Sequence, residues 1–208
     1  MSENRRGFVL ILSAPSGAGK STLASHLVSH YDDIKTSIST TTREPRPGEN
    51  HGEHYFFVSK EQFEKDIAAG KFLEWAEVFG NYYGTSKEVV EATLASGQDL
   101  ILDIDWQGAR GVRESLDALD VISVSIVPPS LQSLRERLEA RGQDSSEVID
   151  GRMEKASQEM SHWREFDYLV INDNLEEGQA DLVAIVRAAR LTRERMAVRI
   201  EKITDGFV

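Results

Sequence analysis

The stretch APSGAGKS, residues 14–21, sets two glycines, a lysine and a serine in an order suited to holding a phosphate. It matches the phosphate-loop pattern G-x-x-x-x-G-K-[ST], except that Ala14 stands at the first glycine position. In such a turn, Ala14, Pro15, Ser16, Gly17, Ala18, Gly19 and the helix start at Lys20, Ser21 and Thr22 surround the phosphates, all but Pro15 offering a backbone N–H and Pro15 contributing shape only. Lys20 adds a point charge at the outer phosphates, and Ser21 can offer its hydroxyl to a magnesium ion. The plain alternative is a tight strand-to-helix turn with Lys20 solvated at its edge. A buried strand before the glycines and a helix after them favour the phosphate reading. The loop alone still leaves an NTPase, a GTPase switch and a small-molecule kinase open.

A second stretch, STTTREPRPGENHGEHYFF at residues 39–57, carries Arg43 and Arg46 between prolines. Two forked guanidiniums three residues apart can grip one oxyanion, and Pro45 and Pro47 restrict the backbone, so less order is lost on binding. Taken alone, they read equally well as solvated loop arginines.

These residues need elements to hold them. FVLILS (8–13) is a continuous apolar run of the kind a strand buried on both faces needs, followed by a helix from Lys20 to about Tyr31. A short strand near 34–38, the arginine loop and a strand at YFFVS come next. Ser59 and Gln62 form a capping box opening a helix that ends at Gly70. FLEWAEVF (72–79) reads as a strand, NYYGTS as a turn, and 87–96 as a helix closed by Gly97. DLILDID (99–105), VISVSIV (121–127) and DYLVIND (167–173) are further core strands, with one long charged helix from about Glu176. Alternating strands and helices predict an α/β fold with a parallel sheet covered on both faces. Residues 38–96 interrupt the alternation as an inserted lobe, and the arginine-rich 130–163 as a movable flap.

The 208-residue chain is 40% hydrophobic, enough for a single main domain, and its net charge is −11. That balance argues against a general nucleic-acid binder, which must neutralise many phosphates. With no cysteine, disulfides and thiolate metal sites are excluded, and a reducing cytoplasm fits. No apolar run reaches the length of a membrane span, so no membrane partner is expected. The five histidines show neither triad-like nor H-E-x-x-H spacing, and Trp75, Trp106 and Trp163 read as packing residues.

SAPSGAGKST, TTREPRPGENHGEHYFF, FLEWAEVFGNYYGTS, ILDIDWQG, RLEARG and VIND follow one another as they do in guanylate kinases, and the chain resembles that family over about residues 8–174. The resemblance implies a three-layer P-loop kinase fold in one domain over 1–208. Its core would be about 7–37, 97–129 and 164–208, with a GMP-binding lobe at about 38–96 and a helical lid at about 130–163. It implies transfer of the γ-phosphoryl of Mg-ATP to GMP, giving ADP and GDP, with ATP and GMP as partners. Arg43 and Arg46, with the hydroxyls of Tyr55 and Tyr83, then bind the GMP phosphate, and Tyr82 stays structural.

Guanine offers N1–H and N2–H donors that one carboxylate can accept together. Simple strand alternation puts Glu74 with Phe72, Ala76 and Val78, and Glu77 with Leu73, Trp75 and Phe79, and does not choose between them. The resemblance selects Glu74, with Ser39 and Thr85 as hydroxyl partners and Asp103 facing the GMP site. Asp105 either holds a magnesium water or caps the next helix. Arg141 and Arg152 match lid arginines that contact ATP and the moving phosphoryl group, so Lys20, Arg43, Arg141 and Arg152 form the catalytic set. Arg137 receives no phosphate, and Asn172 is placed near adenine. Two rivals remain: a kinase for another nucleoside monophosphate, and a non-catalytic guanylate-kinase-like binding module.

Overall fold

The computed structural model describes residues 5–78, 80–142 and 144–207. Strand β1 (Val9–Ser13) is buried along its whole length and leads through the glycine loop into helix α1 (Lys20–His30). Around it lie β2 (Ile34–Thr36), β7 (Asp99–Asp103), β8 (Val121–Val127) and β9 (Tyr168–Ile171). They form a five-stranded sheet in the order β2-β7-β1-β8-β9, with every pairing parallel.

Residue alternation along β1 sorts two cores. Phe8, Leu10 and Leu12 face α1 and α7 (Leu175–Arg190), packing on Leu23, Leu27, Leu182 and Val186. Val9 and Ile11 face the other side, where α3 (Lys87–Ala95) and α4 (Trp106–Ser115) bring Val90, Leu94, Ala109 and Val112. This is the three-layer α/β arrangement expected, and truncating one such side chain to alanine typically costs about 2–5 kcal/mol.

A second sheet lies between β2 and β7 in the chain. It contains β3 (Thr40–Thr41), β4 (Phe56–Phe57), β5 (Phe72–Val78) and β6 (Asn81–Ser86) in the order β4-β3-β6-β5. Helix α2 (Lys60–Ala68) packs beneath it. Ser59 caps α2 by accepting from the Gln62 N–H at 3.2 Å, while the Gln62 side chain turns to Asp66 at 3.0 Å, so only half of the capping box forms.

NYYGTS is strand β6 rather than a turn, antiparallel to β5, and Gly80 at φ 75° makes the bend. The strand of YFFVS shrinks to Phe56–Phe57. A register shift between Phe72 and Glu74 breaks the alternation of β5, so Leu73 and Glu74 are both buried and Trp75 turns outward. Phe79 lies outside the described residues.

Residues 131–161 form two helices, α5 (Leu131–Ala140) and α6 (Ser146–Ser161), around their own small core of Leu134, Leu138, Ile149 and Ala156. The charged tail is two helices, not one. α7 stops at Arg190 and α8 (Arg193–Thr204) begins after Leu191 and Thr192.

Candidate active site

Adjacent parallel strands β1 and β7 end together, with Leu12 in register with Asp103, and the chain leaves the two ends into α1 and α4. In open α/β sheets this is where ligands lie. Gly17 and Gly19 both have φ 96°, a conformation that side-chain-bearing residues rarely adopt. Helix α1 has Gly19 at its N-cap, with no side-chain cap and no acid in its first turn. Its first N–H groups are thus left for an anion, with the positive end of the helix dipole behind them. Lys20 pairs across the strand ends with Asp103.

The loop is braced from two sides. The buried Asn172 amide donates to the Ala18 carbonyl at 2.7 Å, and Gly19 lies so close to that amide that no Cβ would fit. A Cβ on Gly17 would meet Leu134 and Leu138 of α5 at 3.1 Å. Beside the loop, Gly17, Gly19, Thr22, Arg137, Ala140, Arg141, Asn172, Asp173 and Leu175 line a cleft of about 420 Å³. Arg137 donates to the Asn172 carbonyl at 2.8 Å, while Arg141 is an exposed part of the cleft wall. Arg152 reaches from α6 to the Ser16 hydroxyl at 3.3 Å and pairs with Asp144 at 3.0 Å. Arg135 instead pairs with Asp150 and Glu139 on the helix surface.

In the second sheet, Arg43 lies over Tyr55 (5.3 Å) and Phe57 (5.8 Å), and Tyr55 meets Tyr83 edge-on at 6.1 Å. Its guanidinium donates to Glu49 at 2.9 Å and to the Glu44 carbonyl at 2.7 Å, and the Arg46 N–H donates to the other Glu49 oxygen at 2.8 Å. The Arg46 side chain is exposed. The Arg43 and Arg46 bonds hold the Glu49 carboxyl down at about 2. It therefore stays ionised across the neutral range, and this brace is lost only as pH falls toward that value. Burial pushes the Tyr55 phenol up, and the charge of Asp103 adds to it.

Glu74 and Thr85 are direct cross-strand partners in the β5–β6 hairpin. The Thr85 hydroxyl, fully buried, donates to Glu74 Oε1 at 2.6 Å. Burial pushes the Glu74 carboxyl up, the Thr85 bond works against that, and Asp105 adds to it. Glu77 on the same strand is exposed. Ser39 lies at the start of this sheet and accepts the Phe56 N–H at its backbone carbonyl. Asp105 caps α4, accepting the Gly108 N–H at 2.9 Å. Tyr82 stacks on Phe63 at 5.4 Å, a packing role, and Trp106 stacks on His162 at 3.8 Å. Trp75 and Trp163 are 47% and 40% exposed, and they pack on the Tyr82 ring at 5.7 Å and the Arg164 guanidinium at 4.3 Å.

Four contributors were not singled out from the sequence. Glu49 holds the arginine loop, and its position three residues after Arg46 in a Pro-Gly turn is a usable signal. Glu159 of α6 is half-buried with its carboxyl pushed up by burial, Lys20 opposing and Asp105 adding, and nothing in the helical pattern marks it. Gly108 and Gly111, two glycines inside a ten-residue helix, were legible as a sign of close packing.

A family model described as guanylate kinase matches residues 6–189. The guanylate kinase of Idiomarina loihiensis is 54% identical over 199 residues, which is 95% of this chain and 94% of that one. The guanylate kinase of Escherichia coli is 52% identical over 205 residues, 98% of each chain. The crystal structure of guanylate kinase from Anaplasma phagocytophilum superposes with a TM-score of 0.76 at 34% identity, covering 92% of this chain and 90% of that one. The nucleotide-loop geometry, the paired sheets and these likenesses agree, and the chain belongs to the guanylate kinase family.

Proposed function

We propose that this protein transfers the γ-phosphoryl group of ATP directly to GMP, giving ADP and GDP, as a cytoplasmic enzyme of purine nucleotide metabolism. The observation that carries the acceptor choice is the buried Glu74 carboxylate, held at 2.6 Å by Thr85 in the same molecule as an uncapped phosphate loop. A carboxylate accepts from guanine N1–H and N2–H, whereas an adenine edge would set an acceptor against it.

The β-strand lobe at about 38–96 is assigned to GMP. Arg43, Arg46, Tyr55 and Tyr83 bind its phosphate; Glu74, Thr85 and Ser39 bind its base; Asp103 faces the nucleotide and orients Lys20. Glu49 and the Glu44 carbonyl each take one N–H of Arg43, from its two terminal nitrogens, and a guanidinium has five N–H donors, so donors remain for the phosphate. ATP is assigned to the loop at Ala14–Thr22, with adenine in the cleft beside Asn172. The helical segment at about 130–163 acts as a lid that carries Arg141 and Arg152 onto the phosphates.

Kinases of this class work with a divalent metal, and magnesium fits the donors here. Among the described residues no group of three or more acidic, histidine or cysteine side chains could hold a metal by itself. Magnesium suits such a site, because it keeps several waters and takes most remaining ligands from phosphates, with the Ser21 hydroxyl and an Asp105-bound water from the protein. When bound, it neutralises charge on the transferring group. The acceptor oxygen of GMP is already anionic, so no general base is needed. Lys20, Arg43, Arg141 and Arg152 align the reactants and offset charge, and lid closure excludes water.

An ADP-release assay across GMP, AMP, CMP and UMP with magnesium and ATP tests this reading. GMP is expected to dominate; faster turnover of AMP would refute it.

A further inference from the structure

Glycine is among the poorest helix formers, yet α4 carries two in its interior, and both face one residue. A Cβ on Gly108 would stand 3.1 Å from Glu74 Oε2 and 3.1 Å from the Ile104 Cβ. A Cβ on Gly111 would stand 3.0 Å from the Glu74 Cβ. By contrast, Gly151 within α6 has nothing within 4 Å of such a position.

The helix and strand are not free to separate. Asp105 fixes the first turn of α4 by accepting the Gly108 N–H, and at the far end the Ser115 hydroxyl donates to the Leu73 carbonyl at 2.9 Å. The other carboxylate oxygen of Glu74 is held by Thr85. A methyl group at residue 108 would therefore be relieved on the Glu74 side by rotation of the carboxylate, the softest of the groups it meets, and on the Ile104 side by a shift of a few tenths of an ångström.

We propose that Gly108 is a positioning residue for acceptor-base choice: its missing side chain is the space that lets Glu74 present both oxygens in one plane. The inference rests on Glu74 reading the base. Guanine uses both oxygens through N1–H and N2–H, whereas hypoxanthine, lacking the N2 amino group, uses one. Tilting the carboxylate thus costs GMP more than inosine monophosphate.

The test is the ratio of kcat/KM for GMP to that for inosine monophosphate, measured within one preparation so that the active fraction cancels. Gly108→Ala is expected to lower this ratio by about tenfold, the worth of one hydrogen bond to a charged group, with KM for ATP unchanged. In a Glu74→Asp background the shorter side chain withdraws from α4, and adding Gly108→Ala should change the ratio little. An unchanged ratio in Gly108→Ala, or an equal loss with both acceptors, overturns the proposal. If Gly108→Ala alone gives no folded protein, recovery of folding in the double variant supports the same steric claim, and failure to recover overturns it. Glu74→Gln separates the two ideas. A ratio unmoved by Glu74→Gln removes the base-reading role itself, whereas a ratio moved by Glu74→Gln but not by Gly108→Ala removes only Gly108.

Discussion

Replacing Thr85 by valine removes one hydroxyl and keeps the side-chain shape, so the change isolates a single hydrogen bond. That bond is short, 2.6 Å, and both ends are buried, Thr85 completely and Glu74 to 7% exposure. A hydrogen bond to a charged group is worth about 1.5–3 kcal/mol, and valine leaves the Glu74 oxygen without its donor. Thr85→Val should therefore lower the unfolding free energy at pH 7 by about 1.5–3 kcal/mol. Urea unfolding reads this as a lower midpoint with an unchanged slope.

The pH dependence has a definite sign. Burial already raises the Glu74 carboxyl in the folded protein, and Thr85 is one of the groups holding it down, so the variant raises it further. A carboxyl raised on folding contributes stability below its unfolded value, near 4.3, and loses that contribution as pH rises through the folded value. The gap between variant and parent should be widest at pH 7 and narrow on acidification. Turnover follows the same logic: kcat/KM for GMP should fall about 10- to 100-fold, since each 1.4 kcal/mol is a factor of ten. An unchanged urea midpoint at pH 7 together with an unchanged GMP rate would refute both the energetic and the functional reasoning.

Two further changes probe the scaffold around the site. Asp99, 1% exposed at its side chain, accepts from Arg5 at 2.8 Å, Arg190 at 2.6 and 2.9 Å, and the Phe8 N–H at 3.1 Å. Asp99→Ala should cost about 1.5–3 kcal/mol in urea unfolding by removing the shared acceptor of Arg5, Arg190 and the Phe8 N–H, while Asp33 still pairs with both arginines, and KM for GMP and ATP should be unchanged in the folded fraction. Gly151→Ala, in the open surroundings described above, should stabilise by about 0.5–1 kcal/mol in thermal melting. A destabilised Gly151→Ala would show that the surroundings of α6 differ from those described.

The elements that were legible in the chain share a property: their signals are local. A buried apolar run, two glycines, a lysine and a serine lie within fourteen residues of one another at 8–21, and the structure places them as strand, loop and helix. The Asp105 cap on α4 is likewise a contact spanning only three residues. The misreadings were non-local. NYYGTS reads as a turn in isolation, yet a Cβ at Gly84 would meet Phe72 at 2.9 Å and Phe63 at 3.0 Å; the glycine marks close packing of two aromatic rings over a strand. No glycine or proline signals the break at Leu191 and Thr192 between the two tail helices.

Glu74 against Glu77 shows most sharply where the boundary falls. Residue pattern alone treated them as equivalent acids on opposite faces of one strand, because it assumes an unbroken two-residue alternation. The register shift after Phe72 buries Glu74, and the hairpin sets Thr85 directly opposite it. Family likeness could name Glu74, and local chemistry could name the phosphate loop from the amino-acid order. Which acid is buried, which hydroxyl holds it and which helix presses on it depend on strand register and helix packing across dozens of residues, and those exist only once the chain has folded.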